Sequence, residues 1–160
     1  MRILLFGPKG YLGRHFQKMY PEAALSDADI ADAQKVGKEL DHHHPDIVIN
    51  CAGKTGSPNV DWCEDHKEET LRSNTLGPLV LLGECGKRDI HFVHLSTGCI
   101  YEGTPLRSHS ESFAGFTEED PPNFFGSFYS RSKGWADQIL KDFPVLQLRL
   151  RMPFDDIPDP

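Results

Sequence analysis

The sequence predicts a doubly wound α/β fold, a parallel sheet with helices on both faces. Three observations predict it. Short apolar runs alternate with stretches of helical periodicity, the rhythm of parallel strands joined by crossover helices. One run, Ile47-Val48-Ile49-Asn50-Cys51-Ala52, is apolar almost throughout, as a strand buried on both faces should be. A glycine-rich turn, GPKGYLG, falls between the first strand and the first helix, where sheets of this kind hold phosphate groups.

The elements follow in order. The first strand is Ile3 to Phe6, and the helix after it starts near Tyr11 and ends by Pro21, whose ring stops it. A short second strand lies at Ala23 to Leu25, and a helix follows over about Ile30 to Leu40. After the third strand at 47–52, a long helix covers Glu64 to Lys87, bent around Gly77-Pro78. The fourth strand is His91 to Leu95. A loop rich in Gly, Pro, Ser and Phe then runs from Tyr101 to Phe128, and loops of that length in a compact domain usually carry function. The final helix spans Tyr129 to Lys141, and the last strand is Val145 to Leu150. Residues 1–153 thus read as one nucleotide-binding domain, and 154–160 as a short tail without fold signal.

A chain of 160 residues can bury a sizeable core. Its net charge of −7 argues against nucleic acid or an anionic membrane as partner, since both reward basic patches. No apolar run approaches the roughly 20 residues a spanning helix needs. The amino-terminal apolar stretch is too short for a secretory signal and runs into the glycine turn, so the expected location is the cytoplasm. Cys51, Cys63, Cys85 and Cys99 contain no C-x-x-C pair. They fit neither a zinc cluster nor a disulfide framework and read as reduced, mostly buried thiols. The run His42-His43-His44, just before Pro45, reads as a solvated loop and not as a metal site.

Three motifs carry chemistry. In GPKGYLG the glycines are Gly7, Gly10 and Gly13. Glycine lets the backbone approach a pyrophosphate, and the helix start behind it offers unpaired amides. In Tyr129-Ser130-Arg131-Ser132-Lys133 the spacing of four sets phenol and ammonium on one helix face. An ammonium there should draw the phenol pKa down. Leu95-Ser96-Thr97-Gly98-Cys99-Ile100-Tyr101 sits at the carboxyl end of the fourth strand, the end at which open parallel sheets bind ligands. Strand alternation should turn Ser96 away from that site.

Together these motifs resemble the extended branch of the short-chain dehydrogenase/reductase family, whose nucleotide domain is Rossmann-like. The G-x-x-G-x-x-G spacing is similar to its cofactor turn, Cys51-Ala52-Gly53 to its N-A-G segment, and Asn74 in NTLG to its N-x-x-G motif. GKTGSPNVDWCEDHKEET, STGCIYEG, GFTEEDPPNFFGSFYSRSK and LRLRMP resemble the UDP-4-keto-6-deoxyglucose 3,5-epimerase/4-reductases, relatives of dTDP-4-dehydrorhamnose reductase. The resemblance implies reduction of a nucleotide-linked 4-keto-6-deoxyhexose in UDP- or dTDP-L-rhamnose synthesis, with 3,5-epimerisation. It implies NADPH as cofactor, NADH being the other option, and a homodimer formed through long helices.

The resemblance also implies residue roles. Tyr129 protonates the carbonyl oxygen, Lys133 tunes it and holds the nicotinamide ribose, Thr97 orients the carbonyl, and Cys99 moves protons on the flanking carbons. Cofactor contacts are expected from Gly7, Lys9, Gly10, Tyr11, Leu12, Gly13, Asp29, Ile30, Cys51, Ala52, Gly53, Thr55, Asn74, Tyr129 and Lys133. Asn59, Asp61 and Trp62 fall in a family-specific loop near the sugar, though Trp62 suits plain packing equally well. The acids Ser26-Asp27-Ala28-Asp29 surround leave the choice between NADPH and NADH open. The family's smaller substrate domain and its second epimerase acid/base have no counterpart after Arg151-Met152-Pro153. Two other readings are a non-catalytic NADP-binding regulatory module and an inactive fragment of the reductase.

Overall fold

The computed structural model describes residues 1–105 and 115–154. Its five strands are β1 (Ile3–Phe6), β2 (Ala24–Ser26), β3 (Ile47–Asn50), β4 (His91–Thr97) and β5 (Val145–Leu150), all parallel, in the order β2-β1-β3-β4-β5. The helices are α1 (Tyr11–Met19), α2 (Ala33–His43), α3 (Trp62–Asp65), α4 (Lys67–Leu71), α5 (Gly77–Gly86) and α6 (Phe128–Leu140). The doubly wound parallel sheet expected from the sequence is present.

The order explains which face each helix covers. The step from β1 to β2 moves across the sheet in one direction, and every later step moves in the other. Right-handed crossovers therefore put α1 on one face and α2, α5 and α6 on the opposite one. The core divides accordingly. Leu4, Phe6, Val48 and Phe92 pack with Val36, Leu40, Leu81, Cys85, Ala136 and Leu140 from α2, α5 and α6. Leu5, Ile49 and Val93, one residue out of step on the same strands, pack with Phe16 of α1. The strand reversal between β1 and β3 opens a crevice at their carboxyl ends, the place where such sheets take ligands.

Several boundaries move from the sequence reading. The second strand starts one residue later and includes Ser26, whose side chain is buried and accepts the Ala28 amide. The second helix begins at Ala33, because Asp32 caps it by accepting the Gln34 and Lys35 amides. His42 and His43 are the last turn of α2, and His44 is its left-handed cap, so the expected loop starts later. The expected long helix breaks at His66, and its irregularity at Gly77-Pro78 falls one turn earlier. Residues Arg72–Leu76 widen into a π-helical turn in which the Gly77 amide reaches Arg72 O. Pro78 has no amide for the carbonyl four residues back and its ring crowds that turn; the wider turn makes room.

β4 runs two residues past Leu95 to Thr97. Gly98–Ile100 then form a 3₁₀ turn. The long loop has no regular element at 101–105 or 115–127, and its remainder, like the tail from 155, lies outside the described residues. It folds back on the 3₁₀ turn: the Asn123 and Phe124 amides both donate to Ile100 O, and the Tyr101 hydroxyl donates to Asp120 O. No helix among the described residues is long and apolar enough to cross a membrane.

Candidate active site

The glycine turn closes against β3. Gly7 has a positive φ of 75° and lies where a Cβ would fall 2.6 Å from the Ala52 amide nitrogen. At Gly13 a Cβ would fall 2.1 Å from Gly7 O, so α1 can pack on the turn only without a side chain there. Gly10 is the N-cap of α1 and supplies no side-chain bond to its first turn. A helix start left open in this way suits a phosphate.

Beside this turn is a cavity of about 90 Å³ lined by Leu12, Cys51, Ala52, Gly53, Lys54, Thr55, Asn74, Leu95, Ser96, Tyr129 and Lys133. It gathers eight of the cofactor residues expected from the sequence onto one wall. The rest lie around it. Lys9 pairs with Asp27, and Tyr11 packs its ring against His15 at 4.6 Å. Asp29 accepts Arg72 Nη2 at 2.8 Å, which holds its carboxyl below the ordinary carboxylate range, with help from the Ala31 amide. The Ile30 side chain is buried in the core over Gly77, so that side chain stays out of the crevice.

Asn74 is fully committed. Its Oδ1 accepts the Lys54 amide at 2.7 Å, and its Nδ2 donates to Lys54 O at 2.9 Å and to Ser132 Oγ at 3.2 Å. It shapes the cavity wall by clamping the chain after β3 to the π-helical turn and α6.

A second cavity, about 420 Å³, is lined by Val60, Cys99, Tyr101, Glu102, Gly103, Phe124, Ser127, Tyr129, Ser130 and Arg151. Tyr129 belongs to both. It therefore joins the cavity beside the glycine turn to a larger one.

Three of the four expected catalytic residues line these cavities, Lys133 the inner, Cys99 the outer and Tyr129 both, whereas Thr97 is buried and lines neither. Thr97 Oγ1 accepts the Cys99 amide at 3.1 Å, and the Thr97 side chain is hydrogen-bonded to Tyr129. Burial pushes the Tyr129 phenol above its ordinary pKa, and the Thr97 bond draws it partly back. The expectation that Lys133 lowers that pKa is not met, because burial dominates and the ammonium is turned elsewhere. Lys133 Nζ donates to Leu95 O at 2.8 Å, and its enclosure depresses its pKa to about 8. Cys99 faces the outer cavity, its carbonyl accepting Ser130 Oγ at 2.8 Å. Ser96 is turned to Asp137, as strand alternation implied.

This arrangement decides the comparison with known proteins. The RmlD substrate binding domain family matches residues 1–147. The chain belongs to that family. A bifunctional dTDP-4-dehydrorhamnose 3,5-epimerase/dTDP-4-dehydrorhamnose reductase of Arabidopsis thaliana is 39% identical over 167 residues, covering 99% of this chain and 54% of that protein. The crystal structure of the UDP-rhamnose synthase of Acanthamoeba polyphaga mimivirus is 37% identical with a TM-score of 0.87, over 96% of this chain and 56% of that one. A dTDP-4-dehydrorhamnose reductase of Bacillus anthracis, solved in complex with NADP, shares the fold at 22% identity and a TM-score of 0.77, over 94% and 53%. The chain thus spans about half the length of these relatives.

Within this RmlD-family domain, sequence reasoning missed the supports of the site. Glu64 accepts the Phe128 amide and pairs with Arg131, placing an anion at the start of α6, the favourable end of the helix. Ser127 caps the same helix by accepting the Ser130 amide at 3.1 Å; the Ser127-x-x-Ser130 spacing could have signalled it. Asn50 bonds His94 at 3.1 Å beneath the cavity, where burial holds His94 neutral. Trp62 stacks on His66 with centroids 3.8 Å apart, and Lys54 Nζ sits 5.4 Å from the Trp62 ring, so the loop residue is anchored by packing. Asn59 accepts the Asp61 amide at 2.9 Å, a turn that is local.

Proposed function

We propose that this chain binds NADPH and reduces the keto group of a UDP- or dTDP-linked 4-keto-6-deoxyhexose in rhamnose synthesis, with proton exchange at the carbons flanking that group. The observation that carries the reading is the shared position of Tyr129, on the wall of both cavities. The residues present fit a dinucleotide: an open helix start at Gly10, and a hollow at Gly53 where a Cβ would lie 3.4 Å from Asn74 Oδ1 and 3.9 Å from Lys133 Nζ. NADPH, when bound, supplies the hydride.

The chain's own groups supply the rest. Tyr129, kept protonated by burial, gives its proton to the carbonyl oxygen. Thr97 fixes the phenol and orients the carbonyl. Lys133 lines the cofactor cavity as an ammonium and would hold the ribose. Cys99, in the outer cavity, would take and return a proton at C3 or C5, since the neighbouring carbonyl acidifies those C–H bonds.

NADPH over NADH is supported by charge. Both acids at the end of β2 are ion-paired, Asp27 with Lys9 and Asp29 with Arg72, which leaves neither free to receive a ribose diol and brings two cations to that edge. A homodimer and a cytoplasmic location complete the reading; Trp135 and Ile139, one turn apart and exposed on α6, support the first. Reductase names among relatives covering most of this chain favour catalysis over a purely regulatory module. The test is NADPH oxidation at 340 nm with UDP-4-keto-6-deoxyglucose. Turnover in the unaltered chain, falling at least about 100-fold in Tyr129→Phe, is the expected outcome. Tight NADPH binding without turnover would favour the regulatory reading.

A further inference from the structure

The strand register sets Asn50 of β3 beside His94 of β4, and both side chains are buried, at 0% and 1% exposure. Polar groups so enclosed depend on the few partners they reach. His94 Nε2 has none among the described residues. Its neighbours on this face of the sheet bond elsewhere. Ser96 donates to the Asp137 carboxylate, which Arg149 Nη2 holds at 2.7 Å, and Gln147 Nε2 donates to Asp137 O. Lys133 donates to Leu95 O. The ring is thus oriented by one hydrogen bond, 3.1 Å long, between its Nδ1 and Asn50 Nδ2.

The direction of that bond follows from what each group can do. A backbone amide only donates, so the Asn50 atom that takes the Ala52 amide at 2.9 Å is the oxygen, Oδ1. The amide nitrogen, Nδ2, then faces the ring, and it too only donates. His94 Nδ1 must therefore offer its lone pair, and the ring proton sits on Nε2. The two bonds run in one sense, from the Ala52 amide to Asn50 and from Asn50 to the ring.

They act where the chain leaves the sheet. The Cys51 amide still extends the ladder by donating to Phe6 O, whereas the Ala52 amide is taken by the Asn50 side chain. Beyond that point Cys51, Ala52 and Gly53 line the cofactor cavity, and Ala52 lies against Gly7. We propose that His94 is a positioning residue for the cofactor cavity: the lone pair on its Nδ1 orients Asn50, and Asn50 fixes the turn that carries Ala52 past the glycine loop. That this wall serves a dinucleotide rests on the reductase reading, whereas the turn itself does not.

Two variants separate the lone pair from packing. His94→Asn keeps an acceptor oxygen near the place of Nδ1, and His94→Leu fills the core without one. Solvent exchange of the Ala52 amide is followed by NMR in the ligand-free protein, with the Cys51 amide as control. In His94→Leu, Ala52 should exchange about 10-fold faster while Cys51 changes little. In His94→Asn, Ala52 should stay within about threefold of its original rate. Equal acceleration of both amides would mark a general loosening and overturn the proposal. An unchanged Ala52 in His94→Leu, or the same acceleration in His94→Asn, would overturn it too, since the lone pair would then not be the cause.

Should His94→Leu fail to fold, the ring itself decides. In the unaltered protein labelled with ¹⁵N-histidine, the His94 signals should show a proton on Nε2 and a bare Nδ1; a proton on Nδ1 overturns the proposal. NADPH, titrated by its fluorescence, tests the use of the turn. It should bind His94→Leu about 10-fold more weakly and His94→Asn within about threefold of the unaltered chain. Undiminished affinity in a His94→Leu whose Ala52 amide has loosened would overturn the positioning role. No NADPH binding by the unaltered chain would instead sink the reductase reading and leave the exchange rates to decide this one.

Discussion

Under the proposed function, Tyr129 and Cys99 would divide the proton traffic of the site. Burial keeps the Tyr129 phenol protonated, as a proton donor must be. The Cys99 backbone is held at both ends, by Thr97 Oγ1 on its amide and Ser130 Oγ on its carbonyl. Replacing the sulfur should therefore alter chemistry and not shape. Cys99→Ser should slow solvent deuterium uptake at C3 and C5 by about 100-fold or more, while an already epimerised substrate is still reduced. Mass spectrometry of the recovered sugar nucleotide reads both; uptake at the original rate would remove Cys99 from the scheme. The spacing of Tyr129, Lys133, Thr97 and Cys99 was legible because it is local. Asp137 sits one turn further on the same helix, yet nothing in the sequence joins it to Ser96 and Arg149 across the sheet. The Tyr129 pKa was misjudged for a related reason: its burial comes from distant chain, and burial outweighs the nearby ammonium.

At the scale of elements, the turn before α1 has the firmest steric requirement. At Gly13 an added Cβ meets backbone at 2.1 Å (Gly7 O) and 2.8 Å (Pro8 Cα), and neither can swing aside. At Gly10 the nearest atom is 3.7 Å away, ordinary contact. Gly13→Ala should cost about 3 kcal/mol of stability, and Gly10→Ala about 0.5 kcal/mol or less, in urea unfolding. If Gly13→Ala is as stable as Gly10→Ala, the turn is not packed as described. The glycine pattern, the apolar third strand and the limits of β1 and β5 could be read because turn chemistry and hydropathy act within a few residues. The break at His66 and the π-helical turn could not. They answer to Pro78 and to the packing of the following helix, and the sequence marks the proline without saying which turn yields.

For the molecule as a whole, buried ionisable groups set how stability varies with pH. Lys133 has its pKa depressed to about 8 from 10.5, so between those values the unfolded chain binds more protons and stability rises with pH. Cys51 and Cys85 are pushed up by burial from 9.0 to about 12, so above 9 the native state holds more protons and stability falls. His94, depressed well below 6.5, takes stability away as pH drops through that value. The thermal midpoint should therefore climb from mildly acidic pH to a maximum near pH 9 and then decline. Lys133→Met should flatten the climb above pH 8, and Cys51→Ala/Cys85→Ala should soften the decline. A midpoint indifferent to pH from 8 to 11 in all three proteins would contradict the burial of these groups. The alternation of apolar runs with helical stretches announced a parallel sheet, but not its order, which depends on which edge of β1 the second strand takes.

The place of Tyr129 between two cavities, each open to solvent, has a kinetic meaning. Under the proposed function, dinucleotide and sugar would reach Tyr129 through different cavities, so neither would have to depart before the other could be exchanged. Such an arrangement imposes no compulsory sequence of arrivals. It would let a spent sugar leave while the dinucleotide stayed seated, and a single long ligand bridging past the tyrosine would compete with both.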